Sequence, residues 1–345
     1  MKSIGTSLFA AAVISALICP CMAETNAPPQ RNPHLDSLAS DISSIGYIPS
    51  GGEMLILAAS NNWFSLLTSV KLLPGDSDEL LSIPADTTGE WSCYGSAFWT
   101  PEGDVLLVSA PAPGCLPYDI RPAHQTTSEA EFYLDGYELL IEPRTAVSTP
   151  DLEVLRIIPD STGRFAFDTP RTGVYWVEVM QQTESGPSVE LLFPVIAGGT
   201  ADDIFRGVID IPVSEADSPA GILHELNSIR QSRGIQVLES SEILDSLAST
   251  RAGNLAFSSS FAHFGLNTGS LPEILPADIS VYGENIGRGR GYQEAWSMLL
   301  LSPFHLQTCM SEAYTHVGIS GAVDTEEWEW QLVLVQVFAS GVNEE

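Results

Sequence analysis

The sequence predicts an α+β protein in which an all-β, sandwich-like region precedes a C-terminal three-layer αβα unit. Three observations predict it. Residues 45–197 carry short apolar runs separated by turn-forming residues, at the spacing of strands. Residues 219–301 carry apolar positions at helical spacing, and the chain then closes on two strand-like runs, "HVGISGAV" and "WQLVLVQVFA". With 345 residues, 44% of them hydrophobic, the chain is long enough to bury two cores.

The first segment has the three parts of a secretory signal peptide. Met1-Lys2-Ser3 is followed by an apolar run from Leu8 to Cys19 and then by "CPCMAET", which places cleavage after Ala23. The apolar part is too short to span a bilayer. Cys19 and Cys21 follow Ile18 and Pro20 where a lipoprotein signal needs a small residue, so residues 1–23 are expected to leave as a signal peptide. A Pro- and Asn-rich leader, 24–44, follows. The mature chain is expected to be soluble and exported, to the periplasm, the cell envelope or the medium, with no transmembrane segment.

Fourteen basic against 44 acidic residues give a net charge of -30. Such a field repels phosphate backbones and anionic lipid, which excludes nucleic acid as a partner. Cys93 and Cys115 can pair across the hairpin suggested by "FWTPEGDVLLVS", leaving Cys309 as a lone buried thiol. The mature chain has no CxxC pair, so a cysteine zinc site is not expected.

In the region 45–197 the strand candidates are "MLILAAS", "DVLLVSAP", "YELLIEP", "EVLRIIP", "VYWVEVM" and "VELLFPVI", punctuated by "PEGD", "DSTG" and "PRTG". The stretch "RFAFDTPRTGVYWVEVM" reads as strand, turn, strand, with Tyr175, Val177 and Val179 on one face, in the manner of an immunoglobulin-like sandwich. His124 has no acidic or histidine neighbour at useful spacing and reads as a loop residue. Residues 198–218, rich in Gly, Asp and Pro, form a linker.

Ser218-Pro219 is a helix start, and Ile222, Leu226 and Ile229 follow at helical spacing until Gly234. A second helix begins near Ser241 with Leu244, Leu247, Ala248, Ala252 and Leu255 as its stripe and Arg251 at the edge of that stripe. A third runs from about Tyr292 to Leu301 and stops at Pro303.

Two motifs fail on inspection. "HELNS" at His224 begins like a metalloprotease helix, but Ser228 stands where the second histidine must be. "GENIGRGRG" has Tyr292 at the third glycine position of a dinucleotide fingerprint starting at Gly287. What survives is an ordered set: "LNSIRQSRG", "FAHF" with His263, "YGENIG" with Glu284, "EAWSMLLLSPFH" with Trp296 and His305, "YTHVGIS" and "LVQVF". On these pieces residues 219–340 resemble the CAP superfamily (SCP domain; cysteine-rich secretory, antigen 5, pathogenesis-related proteins), in its shorter bacterial branch.

The resemblance implies an αβα sandwich with a cleft where two histidines and one or two glutamates meet. His263 matches the first cavity histidine, Glu284 of the Gly-Glu-Asn turn the first glutamate, and His305 the second histidine. The family's second glutamate would fall at Leu299, counted from Trp296, or at Ser302, and neither is acidic. Asn285 is expected to hold the turn that aims Glu284, Asn227 and Arg230 to cap and pair within the fold, Trp296 to lie in the core and His316 at the surface.

Two neutral imidazoles can hold a divalent cation, naturally zinc, while leaving positions for water or ligand. Glu284 can fix an imidazole tautomer or act as a catalytic base on bound water. Two functions follow, beside a purely structural interaction module in which these three residues are vestigial. One is a secreted protein whose His263, Glu284 and His305 cleft binds a small ligand, lipid, envelope component or divalent metal without catalysis. The other is a metal-assisted hydrolase of peptide or cell-wall material, with His263 and His305 as ligands and Glu284 as base.

Overall fold

The computed structural model describes residues 30–45, 47, 49–61, 69–73, 93–99, 104–110, 119–125, 128–183, 186–256, 263, 279, 281–324 and 331–342. The expected signal peptide and Cys115, the expected partner of Cys93, lie outside these residues. The fold mixes α and β, with four sheets among the described residues.

Sheet one joins β1 (Gln30–Arg31), β2 (Ser69–Leu73), β3 (Cys93–Trp99) and β4 (Asp104–Ala110) in the order β1-β3-β4-β2. Helix α1 (Pro33–Ile45) packs on β3 and β4. Its buried residues are Leu35, Leu38, Ala39 and Ile42, one helical stripe in a segment the sequence assigned mostly to a leader.

The run "MLILAAS", expected as a strand, lies in helix α2 (Gly51–Ser60). Ser50 caps it by accepting from the Glu53 amide, and the Glu53 carboxylate accepts from the Ser50 amide, a complete capping box. Met54 through Ala58 are all buried, so the helix shows no polar face from which a period could be read. It approaches the later helix α6 (Tyr292–Leu301) closely. A Cβ on Gly51 would overlap the Met298 side chain, and the Gly51 amide donates to Glu294.

The sandwich sets β5 (Asp119–Gln125), β6 (Glu129–Asp135) and β9 (Arg164–Asp168) against β7 (Arg144–Ser148), β8 (Val154–Ile157), β10 (Gly173–Thr183) and β11 (Gly186–Ala197). Phe132, Phe165, Phe167, Tyr175, Val177, Val179, Leu191 and Phe193 fill the space between the sheets. The run "YELLIEP", also expected as a strand, is instead a 3-10 turn over Tyr137–Leu139. Gly136 at φ 77° reverses the chain there, and Leu139 and Ile141 face solvent.

The outer face of β10 is buried too. Val174 and Trp176 of β10 and Leu192 of β11 pack with Leu55 and Ile56 of α2, Ile204 of α3 (Ala201–Phe205) and Leu301 of α6. Every residue from Gly173 to Met180 is therefore buried, and the sheet sits between its partner sheet and a layer of helices.

The C-terminal unit has three layers around β12 (Glu239–Ser240), β13 (Val281–Gly289), β14 (His316–Asp324) and β15 (Gln331–Ser340), in the order β12-β14-β15-β13. Strand β15 alternates between the layers. Leu332, Leu334 and Phe338 meet α4 (Pro219–Ser232), α6 and α7 (Pro303–Cys309), while Val333, Val335, Val337 and Ala339 meet α5 (Glu242–Ala256). A Cβ on Gly318 would overlap the backbone of Leu244, so glycine lets α5 lie directly on β14. Ser218 caps α4 and Gly234 follows its end at φ 70°, as the sequence predicts.

Trp296 is fully buried and donates to Glu225. Asn227 clamps Leu238 through both the backbone amide and carbonyl. Arg230 donates to the carbonyls of Gln236, Cys309 and Ser311, tying the end of α4 to the end of α7. Cys309 is a free, buried thiol that burial pushes up to about 12.

Two stability predictions follow from this packing. Ile56→Ala should cost about 2–5 kcal/mol in urea unfolding, as for a core residue, whereas Leu139→Ala, 56% exposed, should stay within about 0.5 kcal/mol. Burial pushes Glu190, which accepts from Gln181 and Ser188, up to about 7. A carboxyl raised in the folded state stabilises below its unfolded pKa and loses that contribution as pH rises through the folded value. The stability difference between Glu190→Gln and wild type should therefore grow in favour of the variant from pH 4.5 to 7, by at most about 1.4 kcal/mol per pH unit.

Candidate functional site

Strand β13 stands at one edge of its sheet, and it carries two consecutive polar residues to opposite layers. Gly283-Glu284-Asn285, expected as a turn, is extended backbone within this strand. Alternation alone therefore sends Glu284 toward the α5 layer and Asn285 toward α7.

On the first side Glu284 meets Arg251 of α5. Arg251 Nε donates to Glu284 Oε1 at 2.9 Å, and both side chains are almost fully buried, at 0% and 6% exposure. Glu284 Oε2 lies 2.7 Å from His263 Nδ1, and an Arg251 terminal nitrogen donates to the His263 carbonyl at 2.8 Å. Arg251 thus holds both the carboxylate that meets the imidazole and the backbone that bears it. Burial alone would raise the Glu284 carboxyl, but the hydrogen bond and charge of His263 and the charge of Arg251 outweigh it and lower it. An ionised carboxylate only accepts, so His263 Nδ1 is the donor in this contact.

On the second side stands His305, in the first turn of α7. Its carbonyl accepts from Asn285 Nδ2 at 3.1 Å, so Asn285 holds the helix carrying His305 rather than a turn carrying Glu284. Its Nδ1 lies 2.6 Å from the hydroxyl of Ser302, the residue that caps α7. Burial and the neighbouring His263 push His305 down to about 3, so its ring is neutral at physiological pH.

Ser302 also joins a group from outside the C-terminal unit. Glu178, at the middle of β10 and fully buried, accepts from Ser302 Oγ at 2.8 and 2.9 Å and from the Phe304 amide at 2.9 Å. Burial pushes its carboxyl up to about 7 against the pull of these two donors.

The structure brings His263 and Glu284 into direct contact and makes His263 an electrostatic neighbour of His305. Leu299 is core and Ser302 is the helix cap. His224 is exposed on α4, and His316, only 20% exposed, bonds to Thr315 and faces Glu239. Sequence reasoning missed Arg251 and Glu178. Arg251 lies seven residues beyond Leu244 on the same stripe, and a cation on an otherwise apolar helix face signals a buried partner. Glu178 in the strand "VYWVEVM" is the same signal.

No protein-family model matches the chain, and no curated protein matches its sequence. Solved structures overlap it in part, three of them as follows. An outer surface protein from Borrelia burgdorferi is 16% identical over 34% of this chain and 88% of its own, with a TM-score of 0.31. An extracellular protein containing an SCP domain from Bacillus anthracis strain Ames is 13% identical over 77% and 93%, with a TM-score of 0.29. A cysteine-rich secretory protein from Staphylococcus aureus is 12% identical over 65% and 83%, with a TM-score of 0.26.

Proposed function

We propose that this chain is an exported, non-enzymatic binding protein of the CAP/SCP type, in which His263 and His305 offer imidazole nitrogens to a ligand. Export is supported by the apolar run from Leu8 to Cys19 and by the acidic balance of the chain. Among the described residues, no helix is long and apolar enough to cross a membrane. Family type is supported by the ordered motifs around His263, Glu284 and His305 and by the αβα layers that bring them together.

The observation that carries the reading is the state of Glu284. Both of its oxygens are engaged, one by Arg251 and one by His263, and its carboxyl is lowered. A general base works best with a pKa raised toward the operating pH. Glu284 is shifted the other way and is hydrogen-bonded on both oxygens, which suits it to orienting His263 better than to taking a proton from water.

The donor set suits an exchangeable cation better than a resident one. A closed structural zinc site needs four ligands, and among the described residues no group of three His, Cys, Asp or Glu side chains is placed to hold a metal. His263 and His305 would supply two nitrogens, with water or an anionic ligand group completing the shell. Zinc bound there would present a Lewis-acidic centre to a small ligand or envelope component.

Calorimetric titration of zinc into the full mature chain tests this, beside a His263→Ala/His305→Ala double variant shown to be folded. Saturable binding, weakened at least about tenfold in the variant, is expected. Equal binding by both proteins, or none by either, would remove the cation from the proposal.

A further inference from the structure

We infer that Glu178 is a positioning residue for His305, acting through the Ser302 hydroxyl to fix which ring nitrogen carries the proton. The inference deepens the proposed function and rests on its reading of His305 as a ligand-binding group. It also makes the sandwich sheet a part of the site.

The first support is where Glu178 sits. Its neighbours on the same face of the sheet are Trp176 on its own strand, Ala146 opposite it on β7 and Leu192 opposite it on β11, all buried. A carboxyl there costs desolvation that an apolar side chain would avoid. All three hydrogen bonds shown for Glu178 lead to the first turn of α7, through Ser302 Oγ and the Phe304 amide.

The second support is the proton count at Ser302. Its hydroxyl has one proton and faces two groups that could take it, Glu178 at 2.8 Å and His305 Nδ1 at 2.6 Å. An ionised Glu178 can only accept, so it takes the Ser302 proton. Ser302 Oγ must then accept from His305, which puts the imidazole proton on Nδ1 and leaves the Nε2 lone pair free. Glu284 imposes the same tautomer on His263 directly. The two histidines are thereby set alike by carboxylates from two different sheets, one in contact and one relayed by a hydroxyl.

Replacing the carboxylate by an amide reverses the count. The Phe304 amide can only donate, so in Glu178→Gln it claims the amide oxygen, and the amide NH2 is turned toward Ser302. Ser302 then receives that hydrogen bond and gives its own proton to His305 Nδ1, moving the imidazole proton to Nε2. Ser302→Ala breaks the relay at its middle while leaving Glu178 in place.

The test is long-range proton–nitrogen NMR of the full mature chain labelled with nitrogen-15 in its histidines, at pH 9. In wild type His305 is expected as the Nδ1-protonated tautomer. In Glu178→Gln and in Ser302→Ala the Nε2-protonated share should rise at least about tenfold, with His263 unchanged as the internal control for a folded site. A wild-type His305 protonated on Nε2 would overturn the inference without recourse to any variant. So would an unchanged tautomer in both variants with the His263 signal intact. Zinc calorimetry on the same samples separates the two proposals. The expected tautomers without zinc binding would sink the cation reading alone, and zinc binding with unchanged tautomers would sink this inference alone.

Discussion

Burial of one strand on both faces is the constraint on which the rest of the structure depends. From Gly173 to Met180, β10 gives Tyr175, Val177 and Val179 to the sandwich and Val174, Trp176 and Glu178 to the helices of the other units. Antiparallel sheets commonly leave one face to water, and this one does not. Because α2 and α6 cover its outer face, the start of α7 and the His305 ring are set by packing that begins in the sandwich. Without that layer Ser302 would cap a helix end in solvent and Glu178 would be an ordinary surface carboxylate.

The fold was legible in the sequence where an element's ends or composition are marked locally. Strands β9 and β10 flank a Pro-Arg-Thr-Gly turn, Ser218-Pro219 caps α4, Pro303 ends α6 and β15 is a valine-rich run, although β10 and β15 are buried on both faces. The pattern misleads where an all-apolar run of strand length is a helix. Helix α2 is apolar on all sides and reads as a strand, and only its Ser50–Glu53 capping box distinguishes it. The segment "YELLIEP" fails for the opposite reason, since Leu139 and Ile141 lie at the surface while Leu140 between them is buried, and no strand forms.

The candidate site divides in the same way. His263, Glu284 and His305 could be singled out because their order along the chain matches a known family, and local chemistry then gave them plausible roles. Their partners could not, because the contacts that define them span 33 residues for Arg251 and Glu284 and 124 for Glu178 and Ser302. The local pattern around Arg251 signals a buried partner and does not say which residue it is. The error over Asn285 is instructive here. It sits beside Glu284 in the sequence, but strand alternation sends its side chain to the other layer, where it holds the carbonyl of His305.

The buried charges make sense as orienting devices and poor sense as stabilisers. A buried ion pair gains in Coulomb energy roughly what it loses in desolvation, and apolar residues of similar volume often serve stability as well or better. Arg251 and Glu284 occupy space among Leu244, Ala248 and Val337, where an apolar pair would also fill the core. What an apolar pair could not do is receive a proton from His263 and hold its backbone at the same time. The chain has only 14 basic residues, and among the described residues Arg230 and Arg251 are buried completely and do different work. Arg230 binds backbone carbonyls and joins helix ends, so its loss would loosen the fold. Arg251 binds a carboxylate that faces a histidine, so its loss would release the tautomer as well as the packing. That difference in partner, carbonyl against carboxylate, separates a structural cation from one that tunes a site.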